Sequence, residues 1–151
     1  MNIVIISGSP RKGSNTEVLV ESFAQGASSK HNVDFISVRD YHINPCMGCN
    51  SCFKRDDQSC IQKDDMQTVY DKLAKADMLV VASPVYFYGI SSQLKALIDR
   101  CHNPIRDTFK IKKVACCSSE PPHYPNYLTA FLYNIDYAST TSTLKTVGKY
   151  W

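Results

Sequence analysis

The sequence has no apolar run approaching the roughly 18–20 residues that a membrane span requires. No basic stretch precedes its first apolar run, MNIVII, as a secretory leader would demand. Neither a Walker loop (GxxxxGK[ST]) nor a GxGxxG dinucleotide fingerprint occurs. The net charge is only +3, and the basic residues form no run. Lys110, Lys112 and Lys113 are the densest group, which suits the edge of a strand better than a nucleic-acid track. Six glycines and seven prolines nowhere gather into a linker, and no internal repeat is visible, so residues 1–151 are read as one domain. A cytoplasmic protein with no membrane or nucleic-acid partner is expected. The 44% hydrophobic and 21% charged content is that of an ordinary globule.

Cysteine is what the chain has in excess. Seven in 151 residues is an odd count, and without a secretory signal it favours metal or redox chemistry over a disulfide framework. Four of them form CxxCxxCx₇C in NPCMGCNSCFKRDDQSC: Cys46, Cys49, Cys52 and Cys60. Close spacing lets soft thiolates converge on one centre, which selects an iron–sulfur cluster or zinc. Three cysteines so near together favour a cluster over a zinc ribbon, whose ligands come as two separated pairs. Free thiols or disulfides are the remaining alternative. Cys101, Cys116 and Cys117 fall on apolar faces and read as small buried side chains. His42, His102 and His123 have no fixed partner in the sequence and read as surface or rim residues.

The order of elements predicts the fold. Residues 2–7 are a nearly unbroken apolar run, as in a parallel strand covered on both faces. Ser14 with Glu17 forms a capping box that opens a helix, expected to turn Val18, Leu19, Phe23 and Ala27 inward. A second strand is expected at 33–38, and residues 39–63 form a cysteine-rich insertion without periodicity. Asp64 with Gln67 makes another capping box, followed by the stripe Met66, Val69, Tyr70 and Leu73. A third strand is expected at 78–83 and a helix at 91–101. A fourth strand follows at 112–119, then a proline-rich loop, a helix around 127–135, and a fifth strand at 144–150. Alternating strands and helices imply an α/β fold with a doubly wound, parallel five-stranded sheet and helices on both faces. The chain reaches Trp151 before a last helix can form, so that helix is expected to be short or absent. A second copy covering the exposed face, in a homodimer or larger assembly, is expected instead.

In such a sheet, ligands bind outside the carboxyl ends of the strands. The loop SGSPRKGSNT after the first strand leads into a helix N-terminus, which favours an anion. Ser9, Ser14, Asn15 and Thr16 supply short donors, Gly8 and Gly13 let the backbone approach, and Arg11 can fork onto a phosphate. The alternative is a polar turn in which Ser14 only caps the helix.

That loop, taken with SPVYFYGISSQLKALIDR after the third strand, resembles the NADPH-dependent FMN reductase family. The cysteine segment resembles that of the iron–sulfur flavoproteins within it. The likeness covers roughly residues 1–102. It implies a flavodoxin-like fold in which Ser9, Arg11, Ser14, Asn15 and Thr16 hold the FMN phosphate. It also implies that Pro84, Val85, Tyr86, Phe87, Tyr88 and Gly89 line the isoalloxazine, with Gly89 permitting the turn beneath it. At least one of the three aromatics is expected in the core or an interface. A [4Fe–4S] cluster exchanging electrons with FMN, and NAD(P)H as co-substrate, are implied too. After the fourth strand, relatives usually offer a small-residue, often Gly-rich loop. This chain offers Ser118, Ser119, Glu120 and two prolines, so Ser118 is the residue expected to meet the flavin there.

Three functions compete at this point. One is an NAD(P)H-dependent reductase of flavin, quinone or a similar acceptor. Another is an FMN and cluster electron carrier without nicotinamide turnover. The third is a metal-binding or redox-sensing cysteine module.

Overall fold

The computed structural model describes residues 1–119. Its elements run β1 (Asn2–Ser7), α1 (Asn15–Ser28), β2 (Asn32–Ser37), α2 (Met66–Leu73), β3 (Met78–Pro84), α3 (Ser92–Arg100) and β4 (Lys113–Ser119). The four strands form one sheet in the order β2-β1-β3-β4, and every pair is parallel. The chain leaves β1 toward β2 and then crosses to β3 on the other side, so the winding reverses between β1 and β3. The expected fifth strand and last helix lie outside the described residues.

Burial on both sheet faces explains the apolar runs. On one face Ile3, Ile5, Val80 and Ala82 pack with Val20, Phe23, Ala24 and Ala27 of α1. On the other, Val4, Ile6, Ile36 and Val81 meet Met66, Val69, Tyr70 and Leu73 of α2 and Leu94 and Leu97 of α3. Fully buried side chains such as Ile5 and Ile36 each contribute about 1.5–3 kcal/mol. The stripe expected for α2 is the one that turns inward, and Leu94 and Leu97 of α3 join it. Among the described residues no helix is long and apolar enough to cross a membrane.

Helix α1 departs from expectation. Val18 and Leu19 are 58% and 37% exposed, while Thr16, Glu17 and Val20 are buried. The inward stripe is rotated because the first turn must seat polar groups beneath the preceding loop. The box at Asp64 is also only half formed. Asp64 Oδ1 accepts the Met66 N–H at 3.2 Å, but the Gln67 amide reaches forward to Asp71 at 2.9 Å.

Gly8, just past β1, sits where no side chain fits. A Cβ there would stand 2.7 Å from Leu94 Cδ2 and 2.9 Å from the Ala82 carbonyl oxygen. The Gly8 N–H donates to that same carbonyl at 2.6 Å. Gly8→Ala is therefore expected to destabilise the domain by about 1–3 kcal/mol through overpacking, read as a lower urea midpoint. An unshifted midpoint would mean that α3 can back away from the sheet.

Candidate functional site

Two loops flank the reversal between β1 and β3, residues 8–14 and 85–91. One bond joins them directly, and two more fix its donor, Ser91. The Ser91 hydroxyl donates to the Gly8 carbonyl at 2.5 Å while capping α3 through the Leu94 N–H. The Ser91 N–H donates to Ser83 Oγ at 3.3 Å. Crossover topology thus brings together segments 83 residues apart in the chain.

In the first loop, Ser14 caps α1 by accepting the Glu17 N–H at 3.2 Å. Ser9, Ser14 and Thr16 are buried, whereas Arg11 and Asn15 are exposed. The Ser9 hydroxyl accepts the Arg11 N–H at 3.2 Å, curling the loop back on itself. Gly13 takes φ +64, the left-handed region that favours glycine. The helix dipole adds positive potential at this point. Arg11 enters no ion pair among the described residues.

Sequence reasoning missed two members of this loop. Glu17 turns its carboxylate back to accept the Gly13 N–H at 2.5 Å, and Arg39 pairs with that carboxylate. The hydrogen bond from Arg39, then that from Gly13, holds the Glu17 carboxyl below its usual range. Arg39 also donates to the Arg11 carbonyl at 3.2 Å. The pair puts a neutralised carboxylate under the loop and leaves Arg11 as its outward cation. Only the Ser14–Glu17 spacing hinted at this, since Arg39 is 22 residues away. Two buried hydroxyls, Ser7 and Ser37, face each other in register at the ends of β1 and β2. Neither has a partner among the described residues.

In the second loop the left-handed positions are not the glycine, and the aromatics stand at the surface of the chain. Tyr86 and Gly89 form a two-residue hairpin with reciprocal bonds of 2.8 and 3.1 Å. Positive φ falls on Phe87 (43°) and Tyr88 (66°), not on Gly89. A Cβ at Gly89 would meet only the Tyr86 oxygen, at 4.0 Å. None of the three aromatics lies in the core: Tyr86 is 40%, Phe87 95% and Tyr88 63% exposed. Pro84 is buried at the strand end and Val85 half-buried. Ser118 is half-buried at the end of β4, opposite Ser83 in register.

The cysteine segment is held at its base. His42 and Asp65 exchange bonds of 2.6 and 3.0 Å. Just inside, Arg100 donates to Asp64 Oδ2 at 2.6 Å and to the Asn44 carbonyl at 3.0 Å, and the Asn44 N–H donates to Asp64 at 2.9 Å. The Asp64 and Arg100 side chains are 1% and 3% exposed. Burial opposes the charge on Asp64. Hydrogen bonds from Arg100, Asn44 and Met66 outweigh it and hold the carboxyl below its ordinary value.

Above this base Cys46, Cys49, Cys52 and Cys60 line one pocket, together with Tyr70, Arg100, His102 and Asn103. All four are free thiols. Bonds from Ser51 favour the Cys49 thiolate, while burial and then the neighbouring sulfurs raise Cys52. As placed, no three His, Cys, Asp or Glu groups among the described residues are close enough to share a metal ion. Four thiols are nonetheless a donor set that a cluster or zinc would take, and Asn103, whose buried Nδ2 has no partner among the described residues, lines the same pocket. The residues fit such a group, since ligands commonly close only as metal binds. His102 stacks on Phe53 at the rim, at 5.2 Å, and His123 lies outside the described residues. Cys101, Cys116 and Cys117 are half-buried rather than fully buried among the described residues, and burial raises all three thiols, Cys101 and Cys116 to about 12.

A family model described as NADPH-dependent FMN reductase matches residues 1–121. An iron–sulfur flavoprotein of Methanocaldococcus jannaschii is 41% identical over 113 residues, covering 74% of this chain and 57% of that protein. Another, from Methanosarcina thermophila, is 38% identical, covering 74% and 58%. The chain thus spans less than two thirds of the length of these relatives. Among solved structures, an NAD(P)H:quinone oxidoreductase from Methanothermobacter marburgensis shares the fold with TM-score 0.66 at 16% identity, covering 91% of this chain and 73% of that one.

Proposed function

The chain belongs to the NADPH-dependent FMN reductase family, and from that premise we propose that it is an FMN-binding oxidoreductase whose four-cysteine pocket carries a [4Fe–4S] cluster. The observation that carries this reading is the placement of α3. Its start, Ser91, is bonded to Gly8 of the first loop, and its end, Arg100, lines the cysteine pocket. Nine residues of helix separate the two sites by about 14 Å. FMN, when bound, supplies two-electron and one-electron chemistry, and a cluster supplies one-electron exchange.

The protein's own part is to bind and orient. Arg11, Ser9, Ser14, Asn15 and Thr16 hold the phosphate, and the capped N-terminus of α1 adds its dipole. Pro84, Val85, Tyr86, Phe87, Tyr88 and Gly89 provide one wall for the ring, and Ser118 stands at the edge of another. Exposed aromatic surface on this hairpin also supports assembly into a homodimer or larger form. NAD(P)H is the reductant in this reading, supported by the family's description.

The visible spectrum of anaerobically purified protein tests the whole reading, because flavin and cluster absorb distinctly. Flavin without iron would leave a plain FMN oxidoreductase, and iron without flavin would leave a cysteine module. NADPH oxidation with free FMN or a quinone separates a reductase from a carrier.

Arg11→Ala is expected to weaken FMN binding by about 1.5–3 kcal/mol, the worth of hydrogen bonds to a charged group. That is about one to two decades in Kd by fluorescence titration. Riboflavin, which lacks the phosphate, should lose little. Equal losses for both ligands would remove Arg11 from the phosphate site.

A further inference from the structure

Asn103 is 4% exposed and begins the short 3₁₀ turn Pro104–Thr108. Its Oδ1 accepts the Ile105 N–H at 2.9 Å, which fixes the oxygen end of the amide toward the turn. The nitrogen end, Nδ2, has no hydrogen-bond partner among the described residues. Leaving a buried donor unpaired carries its full desolvation cost, so such an atom calls for an acceptor.

The pocket that Asn103 lines narrows the choice of acceptor. No carboxylate lines it. The Tyr70 hydroxyl is spent on the Arg100 carbonyl at 2.7 Å, and Arg100 is committed to Asp64 and Asn44. The groups in the pocket able to become anionic acceptors are the four thiols of Cys46, Cys49, Cys52 and Cys60. We propose that the Asn103 side-chain amide donates to sulfur of the four-cysteine centre and raises its reduction potential. The assignment rests on the cluster proposed for that pocket. A donor to sulfur withdraws charge from the ligand and favours the reduced centre, which carries one more electron. Asn103 is thus a tuning residue with two ends, one holding the backbone turn and the other addressing the centre.

Asn103→Ser separates the two ends, because serine keeps a capping oxygen and lacks the amide donor. Anaerobic Asn103→Ser protein is expected to retain iron, sulfide and FMN. Its cluster midpoint, from a redox titration followed by EPR, should fall by at least the 59 mV that marks a tenfold change in a one-electron equilibrium. The flavin midpoint should stay in place. An unchanged cluster midpoint with iron retained overturns the assignment. Should the variant not fold, the intact chain gives the answer. Protein carrying ¹⁵N only in asparagine side chains, in an Asn50→Ala background to silence the other lining asparagine, should show nitrogen coupling to the reduced cluster. Absence of that coupling overturns the proposal. Wild-type protein with neither iron nor sulfide overturns the cluster reading itself, and the assignment with it.

Discussion

Replacing Arg100 with methionine is expected to destabilise the domain by about 3–5 kcal/mol, because it strands a buried carboxylate. The Asp64 and Arg100 side chains are 1% and 3% exposed, so water cannot take over the lost bonds. Arg100 also holds the Asn44 carbonyl at 3.0 Å, so its loss opens the base of the cysteine segment. Removing both charges in Asp64→Leu/Arg100→Met should cost clearly less than the sum of the single changes, since no unpaired ion then remains buried. Denaturant midpoints of the three variants measure this. A loss below about 1 kcal/mol in Arg100→Met would contradict the buried pair.

The same pair sets an acid limit. The folded-state pKa of Asp64 lies below the unfolded carboxylate's value of about 3.9, so its stabilisation is full above that pH. It is lost as pH falls through the lower folded value. The stability gap between wild type and Asp64→Asn should accordingly narrow below about pH 4.

Cys49→Ser should abolish iron and acid-labile sulfide together, from about four of each per chain to none, if the four thiols share a [4Fe–4S] cluster. FMN should stay bound, because the phosphate loop lies on a different connection, between β1 and α1. The fold should also stay intact, since the base of the segment closes through His42–Asp65 and Arg100–Asp64 rather than through metal. Order contributed by metal would then be confined to the part of the segment above those bonds. Zinc in place of iron would keep the structural role and remove electron transfer. Anaerobic wild-type protein with flavin but no iron would defeat the cluster.

Where local pattern decides structure, the sequence could be read well. The apolar run of β1 and the stripe Met66, Val69, Tyr70 and Leu73 answer to burial alone, and both landed in the core. Pattern failed where function overrides it. Val18 and Leu19 point outward because Thr16 and Glu17 turn inward beneath the loop after β1. Arg39 meets Glu17, and Arg100 meets Asp64, across separations of 22 and 36 residues, which no local rule anticipates. Glycine was the natural candidate for positive φ, yet hairpin length put that demand on Phe87 and Tyr88. The loop after β1 was legible as a candidate anion site from Gly, Ser and Arg at a strand end. The amide of Asn103 was not, because a single asparagine before a proline reads only as a turn.

The hairpin at Tyr86 sets a trap for anyone engineering this chain toward higher melting temperature. Positive φ at both central positions is the pattern of a type I′ turn, for which Asn-Gly is the favoured sequence. A stability-guided redesign would therefore replace Phe87 and Tyr88 first, gaining on backbone conformation and on apolar surface withdrawn from water. Phe87→Asn with Tyr88→Gly should raise the midpoint of the flavin-free protein and, if these rings wall the isoalloxazine as proposed, cost it flavin affinity. In that proposed reading, two bulky rings in so awkward a turn make the apoprotein thermally weaker and its binding wall better prepared.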